Sequence, residues 1–397
     1  MEHETKLPNY EINEQLGSLS QRVDWGLRQL NVPETWKITR GEGIKIMVID
    51  TGHPVHPDID ENAIQGKNFI SGEPIEDENG HQLHCTGIIC AKDNQTGMVG
   101  VAPNAKCISA KALNKNGSGS YYGLAEALDY AIEMKPDLVS MSLGGPSPSP
   151  VLQERIKTLY DMNIPVVCAA GNSGDGGVNY PAAFDETIAV AAYDKYGNVA
   201  NFSSKGEKVE WAAPGVNIYS TFLNNGYASL SGTSMACPFI AGVIALMLAK
   251  HRKQEQTTGM NDCKTVAQIR EHLLKYTKDK GKIGRDNSWG YGVIDVEKLI
   301  GGGEEPPVEE PVEEEPPLPT PPSPPVEDPV EEEPVEEPVR KPKNKTTLFI
   351  VIGVLVVAII TGIALIANNK VDIPTPPYFD ENGEVNWDRK YELDNKK

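Results

Sequence analysis

The sequence predicts an α/β fold, a three-layer doubly wound sheet that is mostly parallel, followed by a disordered Pro/Glu linker and one transmembrane helix. Three observations carry this reading. Strand-like and helix-like stretches alternate from about residue 44 to residue 300. The strands are nearly continuous aliphatic runs, as in a parallel sheet covered on both faces. The longest helix candidate, which follows Gly232, is apolar almost all round and so reads as a core helix.

Taken in order, residues 1–19 are polar, with Leu7-Pro8-Asn9-Tyr10 as their one compact apolar patch, and by composition alone they read as a tail. From Trp25 the composition is globular. Residues 44–50 form a strand rich in branched aliphatics that ends at Asp50-Thr51-Gly52. A carboxylate at the C-terminal end of such a strand lies where open α/β sheets place their sites, although Asp before Gly is equally a turn signal. A helix-like stretch over 81–91 carries His81 and His84 on one face. The HExxH spacing and its glutamate are missing, so the pair does not read as a zinc site.

Residues 105–113 are the next strand, followed by the Gly117-Ser118-Gly119-Ser120 loop and a helix over 121–134. A strand over 138–143 stops at Gly144-Gly145-Pro146. After a helix through Tyr160, the strand over 165–170 runs into Gly171-Asn172-Ser173-Gly174. Strands over 187–192 and 209–213 precede the core helix, and helices over 266–276 and 296–300 close the domain. The repeated β-α order implies right-handed crossovers with helices on both faces.

Leu230-Ser231-Gly232-Thr233-Ser234-Met235-Ala236-Cys237-Pro238 leads into the core helix and puts Ser234 in its first turn. Unpaired amide hydrogens and a partial positive charge gather there, so a serine could attack a carbonyl while nearby amides receive the oxyanion. Capping is the plainer role for one serine at a helix start. A base, an orienting carboxylate and an oxyanion donor elsewhere would decide between them.

The chain has 397 residues, 39% hydrophobic and 23% charged, with a net charge of -19, which suits one large domain with appendages. Much of the negative charge lies in the Pro/Glu tract between Glu304 and Glu337, and no basic surface for nucleic acid stands out. Cys85, Cys90, Cys107, Cys168, Cys237 and Cys263 lack metal-ligand spacing and read as buried free thiols of a reducing compartment. No apolar stretch follows the charged N-terminus, so no secretory signal is expected. Residues 301–345 are too rich in Pro, Glu and Val near-repeats to bury a core. Residues 346–367 are uncharged and long enough to span a bilayer, leaving a polar tail over 368–397. Arg340, Lys341, Lys343 and Lys345 precede that span, while Lys370 alone follows it before Arg389. The positive-inside tendency then predicts a single-pass membrane protein whose main domain is cytoplasmic. The alternative is a cell-surface protein exported by a signal outside this sequence.

Four motifs stand in one order: Asp50-Thr51-Gly52, His81, Asn172 after Ala-Ala-Gly, and Gly232-Thr233-Ser234-Met235-Ala236. Together they resemble the subtilisin family of serine proteases, over about residues 20–300. The resemblance implies a triad of Asp50, His81 and Ser234, with Asn172 donating to the oxyanion and His84 as a structural neighbour. Gln82-Leu83 and Phe239 depart from the family's Gly-Thr and histidine, which implies altered packing around the site. Gly117, Ser118, Gly119 and Ser142, Leu143, Gly144 resemble the segments that pair with an extended peptide, and Ala169, Ala170 and Gly171 the main specificity pocket. A structural Ca2+ is implied at Gln21, Asp58 and Asn94 with the carbonyls of Lys92, Thr96 and Met98. A weaker second cation is implied at Glu210 near Ala182 and Phe184. Residues 1–19 resemble the short extension of the intracellular branch that lies across the groove, with the proline displaced in the match, and so imply self-inhibition. The resemblance therefore implies a membrane-tethered serine endopeptidase acting on proteins or peptides; a catalytically impaired peptide-binding module on the same tether is the competing class.

Overall fold

A computed structural model describes residues 4–16 and 20–301 of the chain. The predicted linker beyond residue 301, the predicted membrane span and the C-terminal tail lie outside the described residues. In chain order the first half contains β1 (Glu4–Lys6), β2 (Glu11–Leu16), α1 (Trp25–Gln29), α2 (Val32–Thr35), β3 (Lys45–Asp50), β4 (Ala63–Asn68), α3 (His81–Cys90), β5 (Lys106–Lys111), β6 (Ser118–Ser120) and α4 (Tyr121–Met134). The second half contains β7 (Leu138–Met141), α5 (Pro150–Asp161), β8 (Val166–Ala169), β9 (Thr187–Tyr193), β10 (Val209–Pro214), β11 (Ile218–Phe222), β12 (Gly226–Ser231), α6 (Thr233–Thr258), α7 (Val266–Lys275), β13 (Thr277–Lys278), β14 (Val293–Ile294) and α8 (Val296–Gly301).

Seven strands make one sheet in the order β10-β9-β8-β7-β3-β5-β4, and every neighbouring pair is parallel. The chain enters at β3, builds outward to β4 on one side, and then returns to lay β7 to β10 on the other. β3 is thus the strand at which the order reverses. Side-chain alternation sends Ile46 and Val48 into the core shared with α3 and α6, and Met47 and Ile49 into the core shared with α4 and α5. Both faces are covered, which is why the strands carry no polar alternation.

Helix α6 runs through the larger core, and every residue from Thr233 to Ala249 is buried. Among the described residues it is the one helix long and apolar enough to cross a membrane, and 89% of its most apolar stretch is buried inside the domain. Gly242 lets it approach the 99–102 segment, since a Cβ there would meet Val101 Cβ at 2.6 Å. Phe239 is buried at the α6–α1 contact, where it packs toward Gly26. All six cysteines are buried thiols, as their apolar surroundings imply.

Three elements depart from the sequence reading. β4 is an edge strand with half-exposed residues and so lacks the aliphatic run of its neighbours. β11 and β12 form an antiparallel hairpin around Asn224-Asn225-Gly226, with positive φ at both asparagines, and β2 joins as its third strand. The N-terminal segment, polar enough to pass for a tail, pairs at two places: β1 with β6, and β2 with β12. Its strands take their partners from the domain rather than from each other, so no local pattern announces them.

Candidate active site

Asp50 ends β3 at the reversal point of the sheet, fully buried. His81 is the first residue of α3, and its Nδ1 lies 2.8 and 2.9 Å from the two carboxylate oxygens of Asp50. Asp77 fixes this junction. Its carboxylate accepts from the amides of Asn79, Gly80 and Leu83 and from the hydroxyl of Thr51, at 2.8–3.0 Å. It thereby caps the start of α3 and ties it to the residue after Asp50. Gln82, one departure from the family pattern, does related work: its Oε1 accepts from Gly52 N at 2.9 Å, and its backbone N–H donates to Thr51 Oγ1.

Burial opposes a charge on His81, yet the neighbouring Asp50 carboxylate raises the imidazole well above its ordinary pKa. Its Nε2 is buried and makes no hydrogen bond among the described residues. His84, three residues on, faces elsewhere. Its Nε2 donates to the carbonyls of Ile218 and Ala228 at 3.0 and 3.1 Å, and burial pushes its pKa down to about 3.

Ser234 sits in the first turn of α6. Its Oγ donates to Ser142 O at 3.3 Å, while Ser142 Oγ donates back to Ser234 O at 2.9 Å. Cys85 Sγ reaches the same Ser234 carbonyl at 3.4 Å. That carbonyl is free because its helical donor would be the N–H of residue 238, which is proline. Asn172 is held by the helix start as well: its Oδ1 accepts from Thr233 N at 2.9 Å and Thr233 Oγ1 at 2.8 Å. This fixes the amide and aims its Nδ2 away from the helix start.

The groove over these groups is filled by the chain's own N-terminus. β1 pairs with β6 in the register Thr5 to Gly119 and Lys6 to Ser118, and Leu7 N donates to Gly117 O at 2.9 Å. On the other side Lys6 and Gly144 exchange both backbone hydrogen bonds, at 3.2 and 3.0 Å. The 117–119 and 142–144 segments thus flank one extended strand. Beyond it, Asn172 Nδ2 donates to Asn9 O at 2.6 Å, and the Tyr10 ring lies 5.1 Å from that of His81. Tyr10 Oη also donates to Asn79 Oδ1. Ala169, Ala170 and Gly171, at the end of β8 and beside Asn172, are all buried.

At the expected calcium loop, Asp58 accepts from Asn94 Nδ2, Met98 N and Tyr227 Oη, each at 2.9 Å. Gln21 Nε2 reaches Lys92 O at 3.0 Å and Met98 O at 3.5 Å, and Asn94 Oδ1 accepts from Thr96 N. A Cβ at Gly97 would lie 2.0 Å from Asp58 Oδ2, so the cradle tolerates no side chain there. The expected second cation position is already charge-balanced: Arg270 forms a two-point ion pair with Glu210 at 2.9 and 3.1 Å. The carbonyls of Ala182 and Phe184 accept from Thr187 Oγ1. A guanidinium takes the place assigned to an ion, which corrects that expectation.

The Subtilase family model matches residues 41–292. Minor extracellular protease Epr of Bacillus subtilis is 40% identical over 273 residues, covering 68% of this chain and 40% of that protein. The Major intracellular serine protease of the same organism is 39% identical over 287 residues, covering 69% of this chain and 89% of it. Subtilisin Savinase of Lederbergia lenta is 39% identical over 280 residues, covering 70% and 98%. The chain belongs to the subtilase family of serine endopeptidases. Against Epr it spans less than half of the relative's length.

The buried His84 generates a stability prediction. Its folded pKa lies below the unfolded value, so its contribution is complete above about pH 6.5 and is lost as pH falls toward 3. Raised His81 has the opposite sign, because its contribution is present at low pH and lost as pH rises through its folded pKa. With Ser234→Ala to prevent self-digestion, urea unfolding between pH 6.5 and 4 should lose up to about 1.4 kcal/mol per pH unit through His84. The double variant that adds His84→Asn should show a shallower slope, and equal slopes would refute the assignment.

Proposed function

We propose that residues 20–300 hydrolyse peptide bonds of protein substrates through an acyl-enzyme, with Asp50, His81 and Ser234 as the triad and Asn172 as oxyanion donor. One observation carries this reading: a peptide carbonyl, that of Asn9, lies on the fixed Asn172 amide beside Ser234 and the Asp50–His81 pair. Ser234 Oγ attacks the substrate carbonyl carbon and its proton passes to His81 Nε2. Asp50, on Nδ1, selects the tautomer and stabilises the imidazolium. Negative charge on the carbonyl oxygen is met by Asn172 Nδ2–H and the amide of Ser234 at the helix start. Collapse of the tetrahedral species breaks the C–N bond, and the leaving amine takes the proton from His81. Water then repeats the sequence on the ester and restores Ser234.

An extended substrate takes the place of β1 between 117–119 and 142–144, where main-chain bonding gives breadth. Ala169, Ala170 and Gly171 shape the adjoining pocket. We infer that residues 1–19 hold the enzyme latent. Tyr10 covers His81, and Ser234 Oγ is turned to Ser142 O while His81 Nε2 has no partner. The strand thus occupies the groove while the nucleophile and base are not hydrogen-bonded.

Asp58, the amide oxygens of Gln21 and Asn94, and the carbonyls of Lys92, Thr96 and Met98 would hold Ca2+. The donor set fits in its chemistry: every proposed ligand is an oxygen, and the Gln21 and Asn94 side chains already lie against Lys92 O, Met98 O and the Asp58 carboxylate. The ion would brace the loop after α3 and take no part in the chemistry. Beyond the described residues, the uncharged 346–367 stretch is read as the membrane span, with the basic 340–345 flank and the protease domain on the cytoplasmic side.

Five experiments test these assignments. A fluorophosphonate probe should label the chain lacking residues 1–19 in calcium buffer and should not label its Ser234→Ala form. In the same background Asn172→Ala should lower kcat by about a hundredfold, roughly 3 kcal/mol, with KM little changed. Failure to label would leave the peptide-binding module in place of the enzyme. Deleting residues 1–19 should give full peptidase rate from the first seconds, whereas the intact chain shows a lag; equal time courses would remove the inhibitory role. Calcium should raise the unfolding midpoint of the Ser234→Ala protein but not of its Asp58→Asn derivative. External protease on intact spheroplasts should spare the domain and trim the segment after Asn368, and the reverse pattern would place the domain outside.

A further inference from the structure

The second half of the domain holds a cluster that the peptidase does not use. His251, near the C-terminal end of α6, Asp262, in the loop after it, and His272, in the last turn of α7, bring one ligand atom each to within 4.8 Å of one another. His251 Nδ1 lies 2.9 Å from Asp262 Oδ1, and His272 Nε2 lies 3.5 Å from Asp262 Oδ2. The two imidazole rings are 4.8 Å apart between centroids.

The state of His251 points to a missing partner. Its residue is only 5% exposed, yet Nδ1 makes no hydrogen bond, because the nearby Asp262 oxygen is not placed along its donor direction. Both imidazoles thus converge on one carboxylate, as ligands of one ion would. His272 Nε2 does have an acceptor in reach, the backbone carbonyl of Asp262 at 3.3 Å, a long contact that a stronger ligand bond would replace.

The nearby cations are engaged elsewhere. Lys250 Nζ donates to Leu299 O at 3.0 Å, and Lys264 Nζ pairs with Glu255 at 2.6 Å. The Asp262 side chain is 68% exposed, so an ion and its waters can reach the cluster from solvent.

We propose that His251, Asp262 and His272 form a binding site for a divalent transition metal of the zinc, cobalt or nickel class, separate from the peptidase centre. Two imidazole nitrogens with one carboxylate oxygen suit these ions, whereas calcium selects oxygen ligands. Tetrahedral ligation at about 2.0–2.1 Å needs ligand atoms about 3.3 Å apart, so the 2.9 Å His251–Asp262 approach must open slightly while the wider separations close. His251 lies 17 residues beyond Ser234 on the same helix, about 25 Å by helical rise. The ion would therefore act on structure, clamping α7 to the end of α6 across the loop between them.

The test uses the full-length chain with Ser234→Ala, purified without a histidine tag, stripped with chelator and returned to calcium. Adding one equivalent of Co2+ should produce a visible d–d absorption band, and Zn2+ should displace it and raise the thermal midpoint. Asp262→Asn and His272→Gln, both at partly exposed positions, should leave the metal-free midpoint unchanged and weaken binding by about tenfold or more. His272→Cys keeps a ligand and should retain the band with added thiolate charge-transfer absorption. Absence of the band and of the midpoint shift at millimolar metal would overturn the site. Binding of unchanged affinity in both ligand-loss variants would overturn it equally, because it would assign the metal to other residues.

Discussion

Proline at position 238 has no N–H, and the carbonyl of Ser234 four residues earlier therefore lacks its helical donor. In a buried helix such an orphan acceptor costs of order 1–3 kcal/mol unless another donor reaches it. Two do: Ser142 Oγ from the segment after β7, and Cys85 Sγ from α3. One vacancy in the α6 ladder thus draws together α6, α3 and one wall of the groove. Ser142 belongs to the wall that pairs with an extended chain, and Cys85 is one turn beyond His81. The arrangement of α6, α3 and the groove wall is secured by a single acceptor that the fold must satisfy in any case.

The other end of the same constraint is the helix N-terminus. Thr233 is buried, so its amide cannot be left to water, and Asn172 Oδ1 accepts both that amide and the Thr233 hydroxyl. Satisfying the helix fixes which way the Asn172 amide faces. Its NH2 group is then presented to the groove without any reorganisation at the moment of reaction, which is the condition for an oxyanion donor to be effective. Asp77 performs the corresponding task at the start of α3, where it takes three loop and helix amides and the Thr51 hydroxyl. Asn172 and His81 are each positioned by a neighbour that is itself answering a burial problem.

This division explains what could be read from the sequence. Asp50, His81, Asn172 and Ser234 lie in short motifs whose order is distinctive, and the inner strands announce themselves because both faces are covered. Asp77, the Ser142 hydroxyl and the role of Gln82 were not legible, since each acts on a residue far along the chain and an acidic or amide side chain in a loop carries no local mark. β4 escaped notice because an edge strand can be half polar, and Ala63–Asn68 is. Asn224-Asn225-Gly226 did carry a hairpin signal, with two residues able to take positive φ before a glycine, and attention to that turn would have found β11 and β12. The N-terminal strands were the hardest to see, for their patterns make sense only once the groove and β12 stand beside them. Charge led to a further error at Glu210, where a carboxylate suited to a cation meets Arg270 instead.

The manner in which the N-terminal segment is held determines how it can leave. β1 offers three residues to β6 and β2 five to β12, and the crossing at Leu7 to Tyr10 joins them. Neither arm would be stable alone at such length, since short isolated strand pairings are marginal in water. Linked, each arm keeps the other at high local concentration, so an opening at one end closes again before the whole segment is lost. A free peptide making the same backbone bonds competes poorly against that linkage. The crossing at Leu7 to Tyr10 is therefore what couples the two pairings: without it the arms are independent, and each loses the benefit of the other.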